Sequence, residues 1–293
     1  MKFLKECDSP VDRLAVVVAP SGAASPSILR PRSALQHFDF HRYPAPAALA
    51  DLVDHFWTVT WDLPPGQSYT AQTLPGAAVN LTVTNTEADV TGVVRRRYER
   101  QLRGSGYAVG ARFRPACFRP WVDGPVSRLT DTHRPIAEVL ARETTLLAEQ
   151  VAAEAEPLAR VALLADFLTV DRPAPDATAA RLADLVDTVS TSPTLTRVGQ
   201  LAYLAGVSIR SLQREFVDYV GAGPKWVIQR YRLLDVAARA ASEGPVDWAE
   251  VAATLGFADQ AHLIRAFTAT VGEPPATYAR LNRADGDRTA PAR

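Results

Sequence analysis

Between about residue 35 and residue 130, apolar and polar side chains alternate over short runs. HFWTVTW (55–61), AVNLTVT (78–84), DVTGVVRRRY (89–98) and YAVGARF (107–113) are rich in β-branched and aromatic residues, and Pro-Pro-Gly, Pro-Gly and Gly-Ser-Gly turn signals separate them. Several short strands at this spacing predict a small barrel or sandwich. From Pro135 the apolar spacing changes to three and four, with Ile136, Val139 and Leu140, then Leu147, Val151, Leu158, Val161, Leu164 and Leu168, which predicts helices. DRPAPDATA (171–179) reads as an interdomain linker, and everything from 180 to about 283 follows a helical period. The chain therefore reads as α+β: a loosely ordered extension (1–34), a β-rich domain with trailing helices (35–170), the linker, an all-α domain (180–283) and a tail (284–293).

The all-α part contains a duplication. LAYLAGVS (201–208) and VAATLGFA (251–258) correspond at an offset of 50, and Arg214, Phe216, Gly221 and Pro224 correspond to Arg265, Phe267, Gly272 and Pro275 at an offset of 51. Each copy spells a helix-turn-helix. In the first, Thr194 caps a helix, Gly206 allows the tight turn, Val207 plugs the angle and Ser208 caps the second helix. Inward positions are Leu212, Phe216 and Val217 or Val220, which leaves Arg210, Ser211, Gln213 and Arg214 outward, beside the positive end of the helix. In the second, Asp247 and Glu250 have capping-box spacing, Gly256 makes the turn and Phe257 the plug, and the following helix presents Asp259, Gln260, Ala261, His262 and Arg265. Pro224 opens a long helix between the copies, able to set the separation of the two outward faces. A helical hairpin is also a common structural element, but two copies sharing a turn glycine, an arginine and a G-x-x-P ending are hard to explain by packing alone.

Charge does not by itself point to nucleic acid. The chain has 32 basic and 32 acidic side chains, and from 177 to the end 13 stand against 12. Any argument for DNA rests on where single cations sit. Only three lysines occur, at 2, 5 and 225, so the cations are mostly arginines, whose guanidinium can make paired hydrogen bonds to a guanine edge. The sequence has no run near the ~20 apolar residues of a membrane span and no signal-peptide pattern, and with two cysteines, Cys7 and Cys117, it has no disulfide framework. A cytoplasmic location is expected.

The segments GVSIRSLQREFVDYVGAGPKWVIQRYRLLDVA (206–237) and LGFADQAHLIRAFTATVGEPPATYAR (255–280) resemble the two DNA-binding signatures of the AraC/XylS family of transcription regulators. The resemblance implies that Arg210, Gln213 and Arg214 in the first copy and Gln260, His262 and Arg265 in the second approach base edges in the major groove. Ser211 and Ala261 lie on the same faces, and Thr194 and Lys225 are expected at phosphates. Upstream, HRYPAPAALADLVDHFWTVTWDL (41–63), the LPG turn (74–76) and GARFRPACFRPW (110–121) are similar to the sensor region of an actinobacterial-type branch of that family. This implies a cupin-like β domain for effector sensing or dimerisation. That branch shows two glycines after Phe-Arg-Pro, where this chain has Ala116 and Cys117. Implied partners are double-stranded DNA, a small-molecule effector, RNA polymerase and a second copy of the chain, in a regulator of activator type rather than an enzyme.

The front half offers no cofactor or metal motif: His37, His41, His55 and His133 include no H-x-H pair. Glycines at 104–110 read as a turn between strands. Arginines at 95, 96, 97, 100, 103, 112, 114 and 119, opposed locally by Glu99 alone, read either as a solvated face or as an anionic effector site. Cys117 reads as a buried thiol or, beside Arg114 and Arg119, as a thiol sensor. Trp57, Trp61, Phe113 and Trp121 either line a cavity or fill the core. Two alternatives to an effector-controlled regulator stay open: a constitutive DNA binder whose β domain only dimerises, and a cupin-type enzyme carrying an accessory DNA-binding module.

Overall fold

A computed structural model describes residues 27–242 and 244–287. Eight strands form the front half: β1 (Asp39–Pro44), β2 (Val53–Asp62), β3 (Ser68–Thr73), β4 (Asn80–Thr84), β5 (Ala88–Thr91), β6 (Tyr98–Arg103), β7 (Ser105–Phe113) and β8 (His133–Pro135). Six of them make an antiparallel sheet in the order β1-β2-β7-β4-β5-β8, and β3 pairs with β6 in a second, two-stranded sheet.

The faces of the large sheet follow from the alternation of each strand. Phe56, Leu81, Val83, Val90, Val109, Ala111 and Phe113 point to one side and pack against α2 (Ile136–Leu140), α3 (Thr145–Ala153) and α4 (Pro157–Val170), through Ile136, Leu147, Val151, Val161, Leu164 and Leu168. A bulge between Val53 and His55 rephases β2, so Val53 and Phe56 both face this core while His55, Trp57, Val59 and Trp61 face the other way. The four aromatics thus divide: Trp57 and Trp61 line a cavity between the two sheets, whereas Phe113 and Trp121 pack with each other, ring centroids 5.9 Å apart, on the helical side. Cys117 belongs to that same core, 1% exposed, and burial pushes its pKa up to about 11 despite Arg114 nearby. The thiol-sensor reading therefore lacks its thiolate. Ala116 takes φ +69, a left-handed conformation that glycine adopts more readily than alanine.

The end of the expected loose extension is not loose. Residues 1–26 lie outside the described residues, but Ile28 bridges to Thr73, Leu29 is buried, and α1 (Pro31–Ala34) follows. The segment 171–176 is also tied down, since Arg172 pairs with Asp51. Asp176 then caps α5 (Ala177–Thr191), accepting from the amides of Thr178 and Ala179 at 2.8 and 3.0 Å. Along α5, Ala179 and Ala183 belong to the core of the β domain, while Leu182, Leu185, Val186 and Val189 belong to that of the first helix-turn-helix. One helix thus serves two cores, and the halves meet over a packed interface rather than across a free tether.

The rest is helical: α6 (Val198–Ala205), α7 (Ile209–Glu215) with a widened turn over 216–220, α8 (Pro224–Ala241), α9 (Trp248–Thr254), α10 (Gln260–Val271) and α11 (Pro275–Asp287), which runs past the boundary expected at 283. Among the described residues no helix is long and apolar enough to cross a membrane.

Candidate nucleic-acid interface

Both helix-turn-helix units form, and their turns are equivalent. Gly206 and Gly256 take φ +65 and +66, closing α6 and α9. Ser208 caps α7, its Oγ accepting from the Ser211 amide at 3.1 Å, and Asp259 caps α10 by accepting from the His262 amide at 2.6 Å. These caps stand at an offset of 51 and the turn glycines at 50, so Ala258 is the residue that lengthens the second turn. Each cap is worth about 1 kcal/mol and fixes where its outward face begins.

The first helix of the first unit starts later than the sequence suggests. Thr194 does not cap it; its hydroxyl lies 3.2 Å from Ser192 Oγ, and α6 begins at Val198. Gln200 secures the entry instead, its Oε1 accepting from the amides of Thr196 and Arg197 at 3.0 and 2.9 Å. Inward, Leu212, Phe216 and Val220 are buried and Val217 is exposed, which settles the alternative at that position.

Arg210, Gln213 and Arg214 are exposed on α7, and Gln260, Ala261, His262 and Arg265 on α10; Thr194 and Lys225 are exposed nearby. Ser211 is half-buried, and its hydroxyl accepts from that of Ser208 at 3.0 Å, so it is partly committed to the cap. His262 is partly committed too, with Nδ1 accepting from the Ala258 amide at 3.3 Å and its ring edge-on to Phe257. Among the described residues, Arg210, Arg214, Lys225 and Arg265 form no ion pair.

The arginines of the β domain differ. Arg95 pairs with Asp131, Arg97 with Glu99, Arg100 with Glu87, Arg112 with Asp54, Arg114 with Asp184 and Asp187, and Arg119 with Asp218. Glu99 is a near neighbour, but the other acids lie farther along the chain, and Asp184, Asp187 and Asp218 belong to the helical half. Arg114 and Arg119 join the two halves through these pairs and Arg97 through the Val271 carbonyl, whereas Arg95, Arg96 and Arg103 are exposed, so the cluster is part solvated face and part contact between the halves.

Sequence reasoning overlooked Arg232 on α8. Its Nη2 donates to the Thr196 carbonyl at 2.6 Å and its Nη1 to the Gly256 carbonyl at 3.4 Å, so one guanidinium bridges the entry of the first unit and the turn of the second. The two units nearly touch here, for a Cβ on Gly256 would lie 2.6 Å from Thr196 Cγ2. Behind them lies the cavity between the sheets, about 950 Å³, whose far wall is α8 with Tyr231, Leu234 and Asp235.

A helix-turn-helix domain model matches residues 201–281, and a model described as a domain of unknown function (DUF6597) matches 41–135. An AraC-like transcription regulator of Streptomyces lividans is 33% identical over 157 residues, and one of Streptomyces antibioticus is 32% identical over 158. The matched part of the chain is similar to AraC-like transcription regulators. Each match takes in 50% of this chain and 47% of the relative, so the chain spans about half the length of the curated relatives it matches. ToxT of Vibrio cholerae, a solved structure, overlays with TM-score 0.43 at 10% identity, covering 77% of this chain and 98% of that one. The helix-turn-helix units and the β domain ahead of them account for the two matched regions.

Proposed function

We propose that this chain is a sequence-specific DNA-binding transcription regulator whose β domain takes a small effector. One observation carries the reading: Arg214 and Arg265, equivalent in the duplication, are both exposed and both without an acidic partner on helices that begin at capped, positive ends. Leaving two guanidiniums unpaired is costless only where water or an anionic partner meets them, and the major groove offers guanine O6 and N7 to such a fork.

Recovery of genomic DNA bound by the protein defines its sites, and anisotropy on one such duplex then tests the assignment. Arg214→Ala and Arg265→Ala each lose about 1–3 kcal/mol, roughly five- to 150-fold, on the cognate duplex and far less on scrambled DNA. Equal losses on both duplexes, with circular dichroism unchanged, would reduce these residues to phosphate contacts. Effector control is read in the same assay, as a shift in DNA affinity when the cavity fills.

A further inference from the structure

The floor of the cavity is built in an unusual way. Trp57 stands opposite Gly110 and Trp61 opposite Gly106 in the β2–β7 register, with Val59 opposite Ala108 between them. A Cβ on Gly110 would come within 2.3 Å of Trp57 Cζ2, and one on Gly106 within 2.3 Å of Trp61 Cζ2. Both glycines have ordinary negative φ, so flexibility is not what they supply. They make room for indoles that lie down on the neighbouring strand, with one π-face against the sheet and the other toward the cavity. Four residues of strand separate the rings by roughly 14 Å. The result is a flat, rigid strip along one wall of a partly open cavity.

Its two ends differ. Around Trp61 the walls are apolar, with Phe38, Phe40 and Leu102. Around Trp57 they carry Arg42, His55 and Arg112, two of which are hydrogen-bonded to Asp54. Along the middle of the strip Val59, Ala71 and Ala108 bring no side-chain hydrogen bond. Beside the strip run the side chains of Thr82 and Thr84 on β4, which offer hydroxyls along one edge, while a flexible acyl chain gains nothing from flat walls. The volume suits a molecule of three or four fused or linked rings.

We propose that this cavity binds a flat, elongated polycyclic aromatic molecule laid along Trp57 and Trp61, with an oxygen acceptor at the Arg112 end. The proposal builds on the reading of the cavity as an effector site and adds a route out of it. Arg112 Nη2 and the hydroxyl of Tyr231 on α8, the helix between the two helix-turn-helix units, are neighbours at Gly76, 3.0 and 3.4 Å from where its Cβ would lie. An acceptor that engages Arg112 competes with Tyr231 and Asp54 and so reaches α8 directly.

The test titrates the full chain with anthracene-2-carboxylate, flavone, oleate and maltose, reading tryptophan fluorescence and calorimetric heat. The two planar probes bind, and oleate and maltose bind at least about tenfold more weakly. Trp57→Ala and Trp61→Ala each weaken the planar probes about tenfold, the scale of one lost stack and its buried area, while Trp57→Phe loses less than about threefold. Oleate or maltose matching the planar probes overturns the proposal, as do folded alanine variants of undiminished affinity. Should the alanine variants fail to fold, the ranking of probes on the unaltered chain and the phenylalanine variant decide. DNA anisotropy separates the two readings: planar binding without any change in DNA affinity leaves the ligand class standing and removes effector control, whereas a response to oleate alone does the reverse.

Discussion

Replacing Arg232 by alanine should uncouple the two helix-turn-helix units without dismantling either. The guanidinium is half-buried, makes one short hydrogen bond, 2.6 Å to the Thr196 carbonyl, and one long one, 3.4 Å to that of Gly256, and lies 5.9 Å from the centre of the Phe257 ring. A hydrogen bond from a charged donor contributes about 1.5–3 kcal/mol, and partial exposure puts this one near the lower figure. The long bond adds little. A loss of about 1.5–2 kcal/mol lowers Tm by roughly 3–8 °C for a domain of this size. The larger consequence is for DNA. With the tie gone, placing both units on one duplex costs ordering that the native chain has already met, so affinity for a two-unit site falls about tenfold while a duplex carrying one half-site loses less than about threefold. Arg232→Lys rescues little, because one ammonium cannot span two carbonyls. Thermal melts and anisotropy on the two duplexes decide it; equal losses on both, or none on either, would refute the tie.

Lys225→Ala should weaken binding to all sequences alike and lower the slope of log affinity against log salt by about one, which a salt titration reads. Cys117, its pKa raised to about 11 by burial, should resist iodoacetamide at pH 8 in the native protein and react freely in denaturant; comparable native and denatured rates would contradict the buried assignment. For Asp54, burial raises the pKa, but the hydrogen bond from His55 and the neighbouring Arg112 outweigh it and bring it to about 2. Its folded pKa lies below its unfolded one, so its contribution is complete above about pH 4 and disappears as pH falls toward 2; a flatter acid limb of the stability curve in Asp54→Asn is expected.

How much of this was legible depends on whether the signal was local. The turns were: Gly206 and Gly256 announce themselves by position in a duplicated pattern, and a second occurrence turns a weak motif into a strong one. The strand alternation that divides β2 into a core face and a cavity face was visible too, but the bulge at Val53–His55 was not, and without it Trp57 and Trp61 cannot be separated from Phe113 and Trp121. The arginine cluster misled for a related reason. Its partners, Asp54, Glu87, Asp131, Asp184, Asp187 and Asp218, lie far along the chain, so counting charges in a window made paired residues look unpaired. Arg230 did leave a trace. It occupies the buried stripe of α8 with Val227 and Leu233, a phase that should hold an apolar residue, and it is 2% exposed with its Nη2 donating to the Arg95 carbonyl at 2.5 Å. A charge in an apolar phase signals a contact from another domain, and burial lowers its pKa to about 10.

The same contacts show how the β domain holds its partner. Thr130 Oγ1 donates to the Gly221 carbonyl at 2.6 Å, and Arg97 Nη1 to the Val271 carbonyl at 2.5 Å, beside Gly272. Gly221 and Gly272 are equivalent in the duplication, so the β domain grips both copies at the same point, the end of each recognition helix. In α10 that point lies about 17 Å along the axis from Gln260, where the outward face begins. A grip there leaves the DNA-facing ends open and fixes the two units relative to each other. It should therefore pre-arrange them for binding rather than mask them. Thr130→Val combined with Arg97→Met removes both hydrogen bonds while retaining most of the packed volume; protease cleavage at 171–176 should accelerate, and affinity for a two-unit site should fall with half-site affinity nearly unchanged. A rise in affinity would mean that the grip restrains the DNA-binding half, and the argument from its position would fail.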